Sequence, residues 1–214
     1  MALHWDTITP SMRQVLQTIG RSSLCPRFYL AGGTALALQL GHRRSVDLDL
    51  FSATDQVSPE THHEAGLVLA SLQPSIIEQA WGNLVLLLGD LRVGFFSYGY
   101  PLLEVHGDAE GVPLASLVDL GLMKLDAVAT RATRKDFLDL FTLAQSLPLR
   151  QVLYAAPRKY PSYRDFQRRV VRYLTYFELA DQDLPVPMLH DVSWEQVKAF
   201  FREQASLLAR SWWE

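Results

Sequence analysis

Between residues 45 and 51 hydrophobic and polar side chains alternate: Val46, Leu48 and Leu50 fall on one side, Asp47 and Asp49 on the other. A period of two predicts a strand with one face buried. Upstream, residues 28–30 form a short apolar strand that Gly32 and Gly33 stop, and residues 34–40 read as a helix ended by Gly41. Before these, Met12, Val15, Leu16 and Ile19 recur at helical spacing and predict a helix over residues 11–22. Ser11, after Pro10, suits its N-cap and Gly20 its end. Residues 60–72 read as a further helix. The runs 75–79, 84–88 and 92–97, separated by Trp81-Gly82-Asn83 and Gly89-Asp90, predict a meander of strands. Beyond that the period becomes helical, over residues 113–130, 134–146, 164–179 and 193–208, with a Pro-punctuated, ambiguous stretch at 148–161. The pattern predicts an α/β fold: a mixed sheet core flanked by helices, with a mainly helical C-terminal half. A boundary near Gly111 divides it into residues 1–111, the α/β core, and 112–214, a helical region packing on that core.

Composition narrows the class. A chain of 214 residues suits one domain, or one core with an appended helical piece. With 49% hydrophobic and 20% charged residues it is not a disordered chain. No apolar run approaches the roughly 18 residues that would span a bilayer, so no membrane partner is expected. The first ten residues lack the basic-then-apolar order of a secretory leader. A single cysteine, Cys25, excludes an intrachain disulfide and a multi-cysteine metal site. The expectation is a soluble, cytoplasmic protein. The net charge of −3 implies no overall attraction to nucleic acid, but it is unevenly spread. Residues 158–172 hold Arg158, Lys159, Arg164, Arg168, Arg169 and Arg172 against Asp165 alone, which makes them +5 and the remainder −8.

The stretch over residues 30–51, LAGGTALALQLGHRRSVDLDLF, carries the clearest chemistry. Glycines let a backbone approach an anion without a Cβ in the way. The helix start that follows offers unpaired N–H groups and a positive dipole end to a phosphate. Asp47 and Asp49 project from one face of their strand, and two hard carboxylates suit Mg²⁺ shared with substrate phosphates. A phosphate cradle beside such a pair is a phosphoryl-transfer layout. Each half alone has a plain structural explanation, a strand-to-helix turn or a solvated strand face; the combination is the more specific signal.

Strand, Gly-Gly, helix, then Asp-x-Asp on a strand resembles the nucleotidyltransferase superfamily. The wording of the motif, from Ala31-Gly32-Gly33-Thr34 to Asp47-Leu48-Asp49-Leu50-Phe51, is similar to the AbiEii/AbiGii toxin family. RVGFFSYGYPLL over residues 92–103 and MKLDAVATRATRKDFLDLFTL over 123–143 resemble further parts of that family. The resemblance implies a nucleotidyltransferase-type core in which Gly32, Gly33 and Thr34 meet a nucleoside triphosphate and Asp47 and Asp49 hold Mg²⁺ or Mn²⁺. Lys124 would act with them on phosphate, and Arg131, Lys135, Asp136 and Asp139 would line the opposing wall. It also implies a toxin or phage-defence role, a separately encoded antitoxin, and an RNA or protein acceptor.

One departure stands out. The superfamily supplies a third carboxylate on a later strand, and here the matching position is Gly94, flanked on its face by Arg92 and Phe96. General-base catalysis contributes about 10²–10⁴-fold, so its loss would leave a homologue that binds nucleotide, RNA or a protein partner without turnover. In the helical motif, Lys124, Arg131, Lys135 and Asp139 are spaced seven, four and four apart, one face of a continuous helix. Arg164, Arg168 and Arg172, with Arg169 beside them, form an arginine stripe near Tyr160 and Tyr163, a candidate grip for an RNA backbone. His42-Arg43-Arg44 is a candidate phosphate contact and His62-His63-Glu64 a weak metal candidate.

Overall fold

The computed structural model describes residues 2–210. They form two compact units, Met1–Ser116 and Leu117–Glu214. The first is a mixed seven-stranded sheet with helices. Its strands are β1 (Tyr29–Ala31), β2 (Asp47–Ser52), β3 (Ser75–Ala80), β4 (Asn83–Leu88), β5 (Leu91–Ser97), β6 (Val105–Ala109) and β7 (Val112–Ala115), in the spatial order β3-β4-β5-β2-β1-β7-β6. The meander β3-β4-β5 is antiparallel, as its two tight turns require, while β2 runs parallel to β5 and β1 parallel to β7.

Pairing register gives the sheet two unlike faces. Leu114, Leu30, Leu50, Phe95 and Leu84 lie in one cross-strand row, all essentially fully buried. One residue along, the row reads Ala31, Asp49, Gly94 and Val85, and Asp47 stands level with Arg92. Helix α1 (Pro10–Gly20) buries the four residues its spacing predicted, Met12, Val15, Leu16 and Ile19. Its N-cap is Thr9 rather than Ser11: the Thr9 hydroxyl accepts from the Met12 N–H at 3.2 Å. Pro10 takes the first helical position, where its missing N–H costs nothing. Helix α2 (Gly32–Leu40) is buried on nearly every side from Thr34 to Gln39, and α3 covers Pro59–Val68.

The expected helix start fails around residue 111. Residues 105–115 form a hairpin, and the predicted helix over 113–130 begins only at Leu117. Glu110 and Gly111 have φ of +55° and +89°, the paired positive values of a two-residue hairpin turn. Gly111 is therefore a turn inside the first unit, which extends to Ser116. The short strands escaped the pattern because four of the five β6 residues are exposed and carry no alternation.

The second unit is helical: α4 (Leu117–Thr130), α5 (Arg134–Ser146), α6 (Leu149–Tyr154), α7 (Ala156–Lys159), α8 (Phe166–Tyr173), α9 (Glu178–Gln182) and α10 (Trp194–Arg210). Phe137 anchors an aromatic cluster with Phe177, Trp194 and Phe201, ring centroids 5.2–5.9 Å away. The ambiguous 148–161 stretch is two short helices, and the predicted 164–179 helix is broken into α8 and α9. No described helix is long and apolar enough to cross a membrane.

Candidate active site

Asp47 and Asp49 leave β2 on the same face, half-buried, while Leu48 and Leu50 between and beyond them are fully buried on the other. Two residues of strand separate their Cα atoms by roughly 6.5–7 Å. Val46, expected on the apolar side, precedes the strand and is exposed.

Gly32, the first residue of α2, holds φ at +66° directly beside Asp49: a Cβ there would stand 2.6 Å from Asp49 Oδ2. The glycine thus serves two purposes, a left-handed backbone and a close approach of the helix start to a carboxylate. Thr34 is spent locally. Its buried hydroxyl pairs with Ser45 Oγ at 2.7 Å and donates to the Asp47 carbonyl, tying the first turn of α2 to β2. What this turn retains for an anion is its backbone N–H groups, unpaired within the helix. In the loop between α2 and β2, His42 and Arg43 are buried and Arg44 is exposed, so of the basic triplet Arg44 alone faces solvent.

Arg92 brings a cation to the acids. It is level with Asp47 in the β2–β5 register, and its Nη1 is 3.5 Å from Asp49 Oδ1 with a half-exposed side chain. Gly94 is level with Asp49, and the direction its Cβ would take is filled by the ring of Phe96. That ring packs on Phe51 at 5.2 Å; Phe51 in turn contacts Tyr29 and Tyr98, and Tyr98 contacts Tyr100. An aromatic row therefore borders the carboxylates where the superfamily pattern calls for a third acid. Among the described residues no group of three or more His, Cys, Asp and Glu could hold a metal ion. Two carboxylates on one strand face still fit a hard cation such as Mg²⁺, which takes one or two protein carboxylates and completes its shell with water and phosphate oxygens. His62 contacts Gln79 through Nδ1 at 3.0 Å and Glu64 bonds to Ser23 and Arg27, whereas His63 is exposed.

The helical motif of the second unit is built differently. The helix does not run on from Lys124 to Asp139: α4 ends at Thr130, Ala132 has φ +48°, and Thr133 caps α5 by accepting from the Asp136 N–H. The turn folds the two halves together. Lys124 Nζ lies 2.9 Å from Asp136 Oδ1 and 2.7 Å from Asp139 Oδ2, with all three side chains buried. Arg131 donates to Asp136 at 2.7 and 2.8 Å, and Thr133 donates at 2.6 Å. Burial works against the Lys124 cation, yet the two aspartates outweigh it and raise its pKa. Burial likewise works against the Asp136 anion, but Arg131, Lys124 and Thr133 hold its carboxyl well below the usual range. The lysine expected to reach phosphate is thus held between two aspartates, and Lys135 stands half-buried on α5. A second buried pair, Lys159 Nζ to Asp119 Oδ1 at 2.6 Å, was not foreseen; there burial prevails over the single aspartate and lowers the lysine pKa. Of the arginine stripe, Arg164, Arg168 and Arg172 are exposed, whereas Arg169 turns inward onto the Ala129 carbonyl and the Tyr163 hydroxyl.

The fold and this site define a nucleotidyltransferase-type protein, and comparison with known proteins agrees. The model of the AbiEii family, described as the nucleotidyl transferase AbiEii toxin of a type IV toxin–antitoxin system, matches residues 14–75, which include the Gly-Gly turn and both β2 acids. An uncharacterized protein of Aquifex aeolicus (strain VF5) is 32% identical over 202 residues, 90% of this chain and 93% of that protein. The chain belongs to the AbiEii nucleotidyltransferase toxin family. Its fold is shared with MenT4, a nucleotidyltransferase toxin of Mycobacterium tuberculosis H37Rv (TM-score 0.57, 15% identity, 93% of this chain and 82% of that one). It is shared too with JHP933 of Helicobacter pylori (TM-score 0.51, 18% identity, 94% and 89%). The resistance factor ANT(2")-Ia, solved with adenylyl-2"-tobramycin, matches over 68% of this chain and 94% of its own (TM-score 0.51, 16% identity).

Proposed function

We propose that the protein transfers a nucleotide from a nucleoside triphosphate to an RNA or protein acceptor, with Mg²⁺ (or Mn²⁺), as the toxin of a pair whose antitoxin is separately encoded. The observation that carries this reading is the approach of the Gly32 turn to Asp49: a helix start made for an anion lies against a carboxylate made for a cation. Asp47 and Asp49 hold the divalent cation, which when bound neutralises triphosphate charge and polarises the reacting phosphorus. The N–H groups of Gly32, Gly33 and Thr34 bind phosphate oxygens, and Arg92 leaves its loose contact with Asp49 to meet the triphosphate. The acceptor hydroxyl attacks the α-phosphorus as the bond to pyrophosphate breaks. Gly94 offers no base, so the hydroxyl proton passes to a substrate phosphate oxygen.

The ring of Phe96 over Gly94 favours a second reading, a homologue that keeps nucleotide, RNA or partner binding without turnover. Thermal-shift titration of the four nucleoside triphosphates, with and without Mg²⁺, tests the shared site. A ligand at about 100 times its Kd stabilises by about 2.7 kcal/mol. A Mg²⁺-dependent shift lost in Asp47→Ala is the expected result; no shift with any triphosphate overturns the transferase reading and leaves, of the second, only RNA or partner binding. Radiolabel transfer to total RNA or protein then separates them.

A further inference from the structure

The +5 segment does not survive folding as a uniform basic patch. Lys159 is withdrawn into the core onto Asp119, and Arg169 turns inward. Arg158, Arg164, Arg168 and Arg172 remain exposed, and no ion pair ties Arg164, Arg168 or Arg172 to a described residue. Arg168 and Arg172 stand one turn apart on α8, whose other face buries Phe166, Val170 and Val171.

Arg164 precedes that helix and lines a pocket of about 220 Å³ together with Tyr160, Pro161, Tyr163, Phe166 and Gln167. The volume falls below the roughly 300–1,000 Å³ of a site that encloses a whole small molecule. It suits one planar ring with the rest of its ligand outside. The wall is fixed in advance. Arg169 donates to the Tyr163 hydroxyl and lies 5.5 Å from its ring, Phe166 meets Tyr163 edge-on at 5.8 Å, and Tyr160 packs on Phe166 at 4.4 Å. Gln167 is held by the Leu153 carbonyl at 2.8 Å. A wall ordered before binding loses little entropy on binding.

We propose that this face binds single-stranded nucleic acid, one base entering the pocket beside Tyr163 and successive backbone phosphates meeting Arg164, Arg168 and Arg172. Aromatic walls beside a row of free cations are what a single strand requires, since every base has a face to stack and every nucleotide a phosphate. Arg169 is the positioning residue for Tyr163. The site deepens the transferase reading by naming the acceptor as nucleic acid, and rests on that reading for this role alone.

The test is fluorescence anisotropy with labelled oligouridylate and oligodeoxythymidylate of about 12 nucleotides, within the span of known single-strand sites, across a salt series. Each neutralised phosphate contributes about 0.7 to the salt slope of a single strand, so the combined Arg164→Ala, Arg168→Ala, Arg172→Ala variant should lose a slope of about 2. The triple Arg→Lys variant should keep it. Tyr163→Ala should weaken binding by roughly 5- to 150-fold with the slope unchanged. Asp47→Ala should bind the oligonucleotide as wild type does, and the triple alanine variant should keep the Mg²⁺-dependent triphosphate shift, so this site and the β2 site fail separately. Equal binding of both oligomers, or a preference for the ribose one, supports the proposal and distinguishes which strand is taken. Wild-type binding of neither, or an unchanged slope in a triple alanine variant that melts as wild type does, overturns it.

Discussion

Two pairs of aspartates, one in each unit, live under opposite conditions. Asp47 and Asp49 are half-exposed on a strand face, with the Arg92 guanidinium 3.5 Å from Asp49. Asp136 and Asp139 are buried and enclosed by Lys124, Arg131 and Thr133, two negative and two positive charges with short bonds among them. A buried ion must be compensated on the spot, and that compensation uses up its capacity for ligands. A carboxylate left partly in water keeps that capacity. On the proposed function, the difference separates acids open to a metal from acids that hold a turn together.

The comparison is broken most directly by removing one acid from each pair. Asp139→Ala leaves Lys124 buried with half its compensation and should cost about 3–5 kcal/mol of stability, read from urea denaturation. Asp47→Ala, with no buried partner charge stranded, should stay within about 0.5 kcal/mol of wild type while transfer falls by about 10²–10³-fold. Equal stability losses in the two variants would erase the distinction.

Gly94→Asp sharpens the comparison within the first unit. Because the Phe96 ring fills the Cβ direction, the added carboxylate should cost about 1–3 kcal/mol and leave turnover unchanged. Paired with Phe96→Ala it should recover the stability, and a rise in turnover would appear only in the double variant. Denaturation and single-turnover transfer assays read the two effects.

Acid is the gentlest probe. The folded Asp136 carboxyl titrates below its unfolded value of about 3.9, so its contribution is present above about pH 4 and is lost as pH falls through the folded value. The raised Lys124 pKa adds stability that fades only above about pH 10, so it does not oppose this trend. Urea midpoints measured downward from about pH 5 should fall, and Asp136→Asn should flatten that limb.

Much of the first unit was legible because its elements are periodic and strongly marked. The alternation around Asp47 and Asp49, the apolar face of α1 and the glycine-punctuated meander each predicted the element found. The hairpin over residues 105–115 was not legible, because exposed strands one turn apart leave no hydrophobic alternation. In the second unit the break between residues 130 and 134 and the bounds of α5 were read as observed, whereas the left-handed backbone of Ala132 was not: a non-glycine residue at φ +48° carries no local signal.

The sequence by itself determined that two carboxylates share a strand face after a glycine turn, since a period of two and a Cβ-free residue are local properties of the chain. It also showed the charge excess near residue 165, and Gly94 at the position where the family resemblance implies a third acid. Only the tertiary structure decided which charges remain available. Register set Arg92 level with Asp47 and Gly94 level with Asp49, and Phe96 closed the space that Gly94 left. The turn at Ala132 delivered Lys124 to two aspartates, and packing withdrew Lys159 and Arg169 from the basic face. Composition counts charges, but their availability depends on burial and partners, which come from distant parts of the chain.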